Sequence, residues 1–108
     1  VKPAIGTTDV PSAGTAVRLS ADSQLNATDR ILWARFSPRE GNSGEVYVGV
    51  TGVSATDGFE LDPGGANKQK DTLILNFREL GGSFPAGDIY FDADANGNDI
   101  DWVLIIED

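Results

Sequence analysis

Six short apolar runs, each cut off by Gly, Pro, Asn or Asp before a helix could develop, constrain this chain more than any other feature. In Thr15-Ala16-Val17-Arg18-Leu19-Ser20, Val17 and Leu19 alternate with polar neighbours. Arg30 to Ser37 places Ile31, Trp33 and Arg35 on one face and Leu32, Ala34 and Phe36 on the other. Glu45 to Val50 puts Val46, Val48 and Val50 together, with Tyr47 and Gly49 behind. Thr72 to Arg78 aligns Leu73, Leu75 and Phe77 opposite Ile74, Asn76 and Arg78. Asp88 to Phe91 carries Ile89 and Phe91. Asp101 to Glu107 is apolar on both faces from Trp102 to Ile106, the pattern of a central strand covered on both sides.

Runs of four to eight residues with a period of two are strands. The one stretch with fair helix propensity, Asp22 to Arg30, is short and contains Asn26 and Thr28, so it supports a single helical turn at most. The chain is therefore all-β, a small β-sandwich or jelly-roll-like barrel of about 6–8 strands. The connections agree. Ser37 to Gly44 reads as the loop of a long hairpin, Asp62-Pro63-Gly64-Gly65 as a tight corner, and Gly81 to Gly87 and Asp94 to Asp99 as two further turns.

Val1 to Gly14 breaks the pattern. It holds Pro3, Gly6, Pro11 and Gly14 with little large apolar content beyond Ile5 and Val10, and no sustained period. The expectation is an extended N-terminal arm over 1–14 and a sandwich domain over 15–108. Such an arm orders on a partner by strand addition or groove contact, with Val1, Lys2, Pro3, Ile5, Val10 and Pro11 as the contacting residues.

Residue types then narrow the function. Cysteine and histidine are both absent from the 108 residues. Disulfides, thiolate metal sites and the usual neutral-pH general base are thereby excluded. No nucleophile elbow or phosphate-binding glycine loop occurs. Paired carboxylates are abundant by chance among 17 acids, so they do not argue for glycoside hydrolysis. The expectation is a protein that is not an enzyme. A net charge of -9 repels nucleic acid and anionic membranes, and no segment has the length and apolarity of a membrane span.

One segment carries possible ion chemistry: Asp92-Ala93-Asp94-Ala95-Asn96-Gly97-Asn98-Asp99-Ile100-Asp101. Alternating Asp and Asn ahead of Gly resembles the start of a calcium loop, in which side-chain oxygens converge on a hard cation. The candidate Ca2+ ligands are Asp92, Asp94, Asn96 and Asp99, or Asp101 in place of Asp99. An EF-hand is excluded, because its twelfth position is Val103 and the flanks are strands. The competing reading is a tight hairpin turn around Asn96-Gly97 with solvated carboxylates.

Charge is also unevenly spread. Seven acids and no base lie between Asp88 and Asp108, while Arg18, Arg30, Arg35 and Arg39 cluster early. Basic and acidic regions at opposite ends of the sandwich would let one copy meet another. Among the aromatics, Trp33, Phe36, Tyr47, Phe77, Phe91 and Trp102 lie in strand patterns and belong to the core. Phe59 and Phe84 lie in loops, which they are expected to anchor onto it.

The segment Asn42-Ser43-Gly44-Glu45-Val46-Tyr47-Val48-Gly49, followed by Gly52-Val53-Ser54-Ala55-Thr56-Asp57-Gly58-Phe59-Glu60-Leu61-Asp62-Pro63-Gly64, resembles a pattern in small virion proteins of tailed bacteriophages. The resemblance covers about a fifth of the chain and shares Gly and Pro positions that many β-turns use. It implies a capsid decoration (cement) protein that binds the major capsid protein or another virion protein. The implied location is the virion, on the head surface ahead of the tail, as a homo-oligomer for which a trimer is one form. The acidic 92–101 loop is outside the pattern. The alternative, from a different class, is a calcium-dependent carbohydrate- or surface-binding β module, including a tail- or vertex-associated adhesion component.

Overall fold

A computed structural model describes residues 1–108. Nine strands follow one another: β1 (Lys2–Val10), β2 (Val17–Arg18), β3 (Arg30–Pro38), β4 (Val46–Gly49), β5 (Phe59–Leu61), β6 (Leu73–Asn76), β7 (Phe84–Pro85), β8 (Tyr90–Ala93) and β9 (Asn98–Ile106). They form two antiparallel sheets rather than a closed barrel. One has the order β1-β9-β3-β6, with β7 also on β3, and the other β2-β8-β4-β5. The chain is an all-β sandwich. No α-helix forms, and the Asp22 to Arg30 stretch is a series of turns held by the Asp22 and Asp29 carboxylates, which accept from the Gln24 and Asn26 N–H groups.

Strand β9 is central, between β1 and β3, and supplies Ile100, Trp102, Leu104 and Ile106 to the core. From β3 come Ile31, Ala34 and Phe36, from β4 Val46 and Val48, and from β8 Phe91 and Ala93. Phe36 and Phe91 meet edge to face across the two sheets, with ring centroids 5.6 Å apart. The expected cover on both faces of β9 is corrected: Asp99, Asp101, Val103 and Ile105 are only half-buried, because no layer lies over the outer side of their sheet.

Strict alternation also fails in β3. Ile31 is wholly buried, yet it shares a parity with the outward Trp33 and Arg35. The register slips between Ile31 and Trp33, and this β-bulge turns Ile31 back into the core opposite Ile106.

The largest correction concerns the N-terminus. Residues 2–10 are not a separate arm: β1 pairs with β9 along its whole length, from Lys2↔Ile106 to Val10↔Asn98. Gly6 lies opposite Trp102, and a Cβ there would collide with the indole, so the glycine lets the ring lie under the strand. The Trp102 Nε1–H donates to Thr8 Oγ1 at 2.9 Å. Val10 is 0 % exposed. The segment holds few large apolar side chains because its partner strand brings them. Its order comes from a backbone ladder and a tryptophan, neither of which leaves a periodic signature.

Two expected hairpins are also corrected. Ser37 to Gly44 and Asp94 to Gly97 each carry the chain from one sheet to the other, joining β3 to β4 and β8 to β9. Gly97, at φ 80°, turns its N–H onto the Val10 carbonyl at 2.9 Å, which stitches the crossing to β1. The true short-range hairpin is β4–β5, made by the residues that carry the virion-protein resemblance. Gly58 there has φ 147°, and a Cβ would lie 3.0 Å from the Val48 carbonyl oxygen.

Candidate interaction surface

The outer face of the first sheet is built by the register itself. Side chains that point away from the core line up across the strands as Pro3, Ile105, Trp33 and Asn76, and next to them as Ile5, Val103, Arg35 and Ile74. Ile5 is 68 % exposed and Ile74 56 %. These two rows put apolar side chains on all four strands, with one cation, Arg35, among them. The following rows turn polar: Thr7, Asp101 and Ser37, then Asp9 and Asp99. There Thr7 Oγ1–H donates to Asp101 Oδ1 at 2.7 Å, and the Arg39 guanidinium lies 3.8 Å from the same carboxylate.

Strand β1 is also a sheet edge. Antiparallel pairing alternates bonded and non-bonded residues, and the Ile5 carbonyl accepts from Gln24 Nε2 at 3.0 Å, off the sheet. Ile5 and its same-parity neighbours Pro3, Thr7 and Asp9 therefore turn their backbone groups away from β9, and the Ile5 carbonyl is taken by Gln24. Proline at such a position removes a donor that the ladder never used. The edge is an unpaired template beside an apolar face.

Of the contact residues expected from sequence, Lys2, Pro3 and Ile5 lie at this edge, and Val1 is exposed beside Asp108, whose carboxylate its ammonium meets. Pro11 is exposed just beyond the strand. Val10 is corrected: it is buried in the core and offers nothing to a partner. Val103, Ile105, Trp33 and Ile74 are missing from that set, since only strand order places them next to Ile5. The alternation within each run was the available signal for outward facing.

The expected calcium ligands go to separate tasks. Asp92 is 3 % exposed, and its Oδ1 accepts from the Gly14 and Ala93 N–H groups at 2.9 and 2.8 Å. Asn96 Oδ1 accepts from Ala13 N–H at 2.8 Å. Asp94 lies against Gly44, where there is no Cβ to displace it. Asp99 faces Asp9 across β1. No three acidic side chains converge on a point that could hold a metal ion. Asp92 and Asn96 instead fasten residues 13–14 to the 92–97 crossing, a structural use that the calcium-loop spacing imitates.

Acids gather on the outer face of the second sheet. Tyr47 has Glu60 on one side and Asp92 on the other. Burial, then the charges of Asp94, Glu45, Glu60 and Asp92, push its phenol pKa up. A hydrogen bond with Glu60 raises the Glu45 carboxyl above its ordinary value, because the pair is most stable when one of them keeps a proton. Asp99 is raised as well, first by burial and then by Asp9. Asp62 runs the other way: Lys68 Nζ at 2.9 Å and the Gly64 N–H hold its carboxyl below the usual range.

Basic and acidic segments are not at opposite ends, as the charge runs suggested. β3 lies beside β9, which puts Arg35 next to Val103 and Arg39 next to Asp101. Phe84 does anchor its loop, stacked on Phe77 with centroids 5.1 Å apart. Phe59 does not; it is an exposed residue of β5. Tyr47 is buried, at 4 % exposure, on the side of β4 away from the inter-sheet cluster, whereas Trp33 is only half-buried on an outer face.

No protein-family model, curated protein or solved structure matches this chain.

Proposed function

We propose that this protein is a non-enzymatic structural component of a virus particle. In this reading it is a decoration protein that binds the assembled head of a tailed phage and stiffens it by bridging subunits of the major capsid protein. The observation that carries the reading is the outer face of the β1-β9-β3-β6 sheet. Two apolar rows and an unpaired edge strand lie side by side, which suits docking onto a protein surface by side-chain burial together with strand addition. The resemblance of residues 42–64 to small virion proteins adds the identity of that surface. A shell repeats the same site many times, so a modest contact per copy accumulates into a large gain in particle stability.

Docking by the N-terminal segment is retained, in a changed form. β1 stays in its own sheet and offers its free edge, instead of leaving to join another. The test is co-sedimentation with heads assembled without the protein. Wild-type chain should pellet with them, and Ile5→Asp should weaken binding at least about tenfold, since burying one large aliphatic side chain contributes about 1.5–3 kcal/mol. Failure of the wild type to bind removes the function. Equal binding by Ile5→Asp removes this face from it.

A further inference from the structure

Two glycines follow residues whose side chains their backbone nitrogens can attack. Asp57-Gly58 is the one Asp-Gly pair of the chain, and Asn96-Gly97 the one Asn-Gly pair. Gly58 has φ 147°, with the Val48 carbonyl oxygen 3.0 Å from where a Cβ would stand, and Gly97 has φ 80°. Neither position takes a side chain without strain, so the fold itself requires both pairs.

The two pairs share a reaction. The glycine nitrogen attacks Cγ of the preceding side chain, a new N–C bond closes a five-membered imide, and the proton on nitrogen passes to solvent. The Cγ leaving group departs as ammonia from Asn, or as water from a protonated Asp. Solvent water then adds to one imide carbonyl and breaks its bond to nitrogen. Opening at Cγ gives aspartate. Opening at the main-chain carbonyl gives isoaspartate, in which the backbone runs through the former side chain. Glycine favours the attack because it has no Cβ to obstruct it. An ionised carboxylate is a poorer electrophile than an amide, so in a flexible chain Asn96 reacts ahead of Asp57.

The fold reverses that order. Gly97 N–H donates to the Val10 carbonyl at 2.9 Å, and Asn96 Oδ1 accepts from Ala13 N–H at 2.8 Å. Nucleophile and electrophile are thus held by separate residues, and attack requires both bonds to open together. Asn42, ahead of Ser43, is held in the same way. Its Nδ2–H donates to the Asp99 carbonyl at 2.8 Å, and its Oδ1 accepts from Asp99 N–H at 3.0 Å. Asp57 and Gly58 have no such restraint, and both are exposed. The bonds of their turn run from Ser54 N–H to the Asp57 carbonyl at 3.0 Å, from Asp57 N–H to the Ser54 carbonyl at 3.2 Å, and from Thr56 N–H to Ser54 Oγ at 3.3 Å. None of them uses the Asp57 carboxylate or the Gly58 N–H.

We propose that Asp57 is the site at which the folded chain modifies itself, converting to isoaspartate through Gly58, and that the bonds from residues 10 and 13 keep Asn96 intact. Isoaspartate adds one methylene to the backbone between the 54–57 turn and β5. Because β5 is a three-residue edge strand, the change displaces Phe59 and leaves the other strands in place. This chemistry is independent of the particle-docking reading.

The test incubates the full chain for weeks in buffer, with and without denaturing urea, and maps its peptides by mass spectrometry and enzymatic methylation of isoaspartate. In the folded chain isoaspartate should collect at residue 57. Asn96 should convert at least about tenfold more slowly than in urea, since its rate follows the population of the open form. In urea the order should reverse, with Asn96 ahead. Suppression of less than tenfold at Asn96, or no isoaspartate at 57 in the folded chain, overturns the proposal. Asp57→Glu, whose attack needs a six-membered ring, should abolish the modification there. Ala13→Pro removes the N–H that holds Asn96. It suits its turn, in which Thr15 N–H donates to the Ser12 carbonyl at 3.0 Å and Gly14 has φ 85°. In the folded variant Asn96 should convert about two- to tenfold faster, the effect of one hydrogen bond. An unchanged rate overturns the protection assigned to that bond.

Discussion

The outer faces of the two sheets are opposites. On the first, Pro3, Ile5, Val103, Ile105, Trp33 and Ile74 form rows around a single Arg35. On the second, Tyr47 is ringed by Glu45, Glu60, Asp92 and Asp94. Both faces use the same alternation, and both look outward from one core. The net charge of -9 is therefore spread unevenly over the surface. Acids surround Tyr47 on the second sheet, whereas on the first they are confined to the Asp101, Asp9 and Asp99 end, which leaves two adjoining rows apolar enough to dock.

The apolar face depends first of all on β1 being a fixed part of its sheet. Removing residues 1–10 uncovers Trp102, deletes Val10 from the core and strips one side of β9. We expect a loss of about 5 kcal/mol or more, against a total stability of roughly 5–15 kcal/mol for such domains. The cooperative urea transition should vanish. A truncated chain that unfolds cooperatively with unchanged midpoint would restore the detachable arm.

Within β9, inner and outer faces should separate cleanly. Trp102→Ala should cost about 3–5 kcal/mol, because it empties the site beneath Gly6 and removes the donor to Thr8. Val103→Ala, on the next residue, should cost less than about 1 kcal/mol. Equal losses in denaturant titrations would mean that the outer face is packed after all. Ile5→Asp should change stability by no more than about 0.5 kcal/mol while it weakens docking at least about tenfold.

The smallest effect is expected on the acidic side. Folded Glu45 and Asp99 hold protons more tightly than in the unfolded chain, whose ordinary values are 4.5 and 3.8. The folded state therefore gains protons first, and stability rises as pH falls from neutral toward those values. Asp62 has the opposite sign. Its contribution is present above 3.8 and is lost as pH falls through its lowered folded value. Melting temperature should rise slightly as pH falls from neutral toward the ordinary carboxylate values and fall in stronger acid, and Glu45→Gln should flatten the rise. A wild-type profile that falls monotonically from pH 7 contradicts the shared proton.

Most strands were legible because burial on one face writes a period of two into the chain. Leu73 and Leu75, and Val46 and Val48, announced themselves in this way, whereas Trp102 to Ile106 was found by its continuous apolar run, which hid the one-sided burial. β1 was illegible because Gly6 and Thr8 contribute room and an acceptor rather than apolar bulk. β5 and β7, three and two residues long, are too short to show a period. The Asp92 to Asp99 spacing was visible and its use was not. A carboxylate that accepts backbone N–H groups and one that ligates a cation look alike in sequence.

Composition and alternation by themselves determined that this chain is all-β, lacks the histidine and cysteine of common catalytic sites, and carries a strong negative charge. They act through local rules, in which each residue needs only its neighbours in the chain. That β1 belongs to the sheet, and that Ile5 meets Val103 while Asp92 meets Gly14, depended on pairings across 78 or more positions. Such pairings are chosen by the joint fit of backbone ladders and side-chain volumes, and that fit exists only once the two sheets have closed on each other.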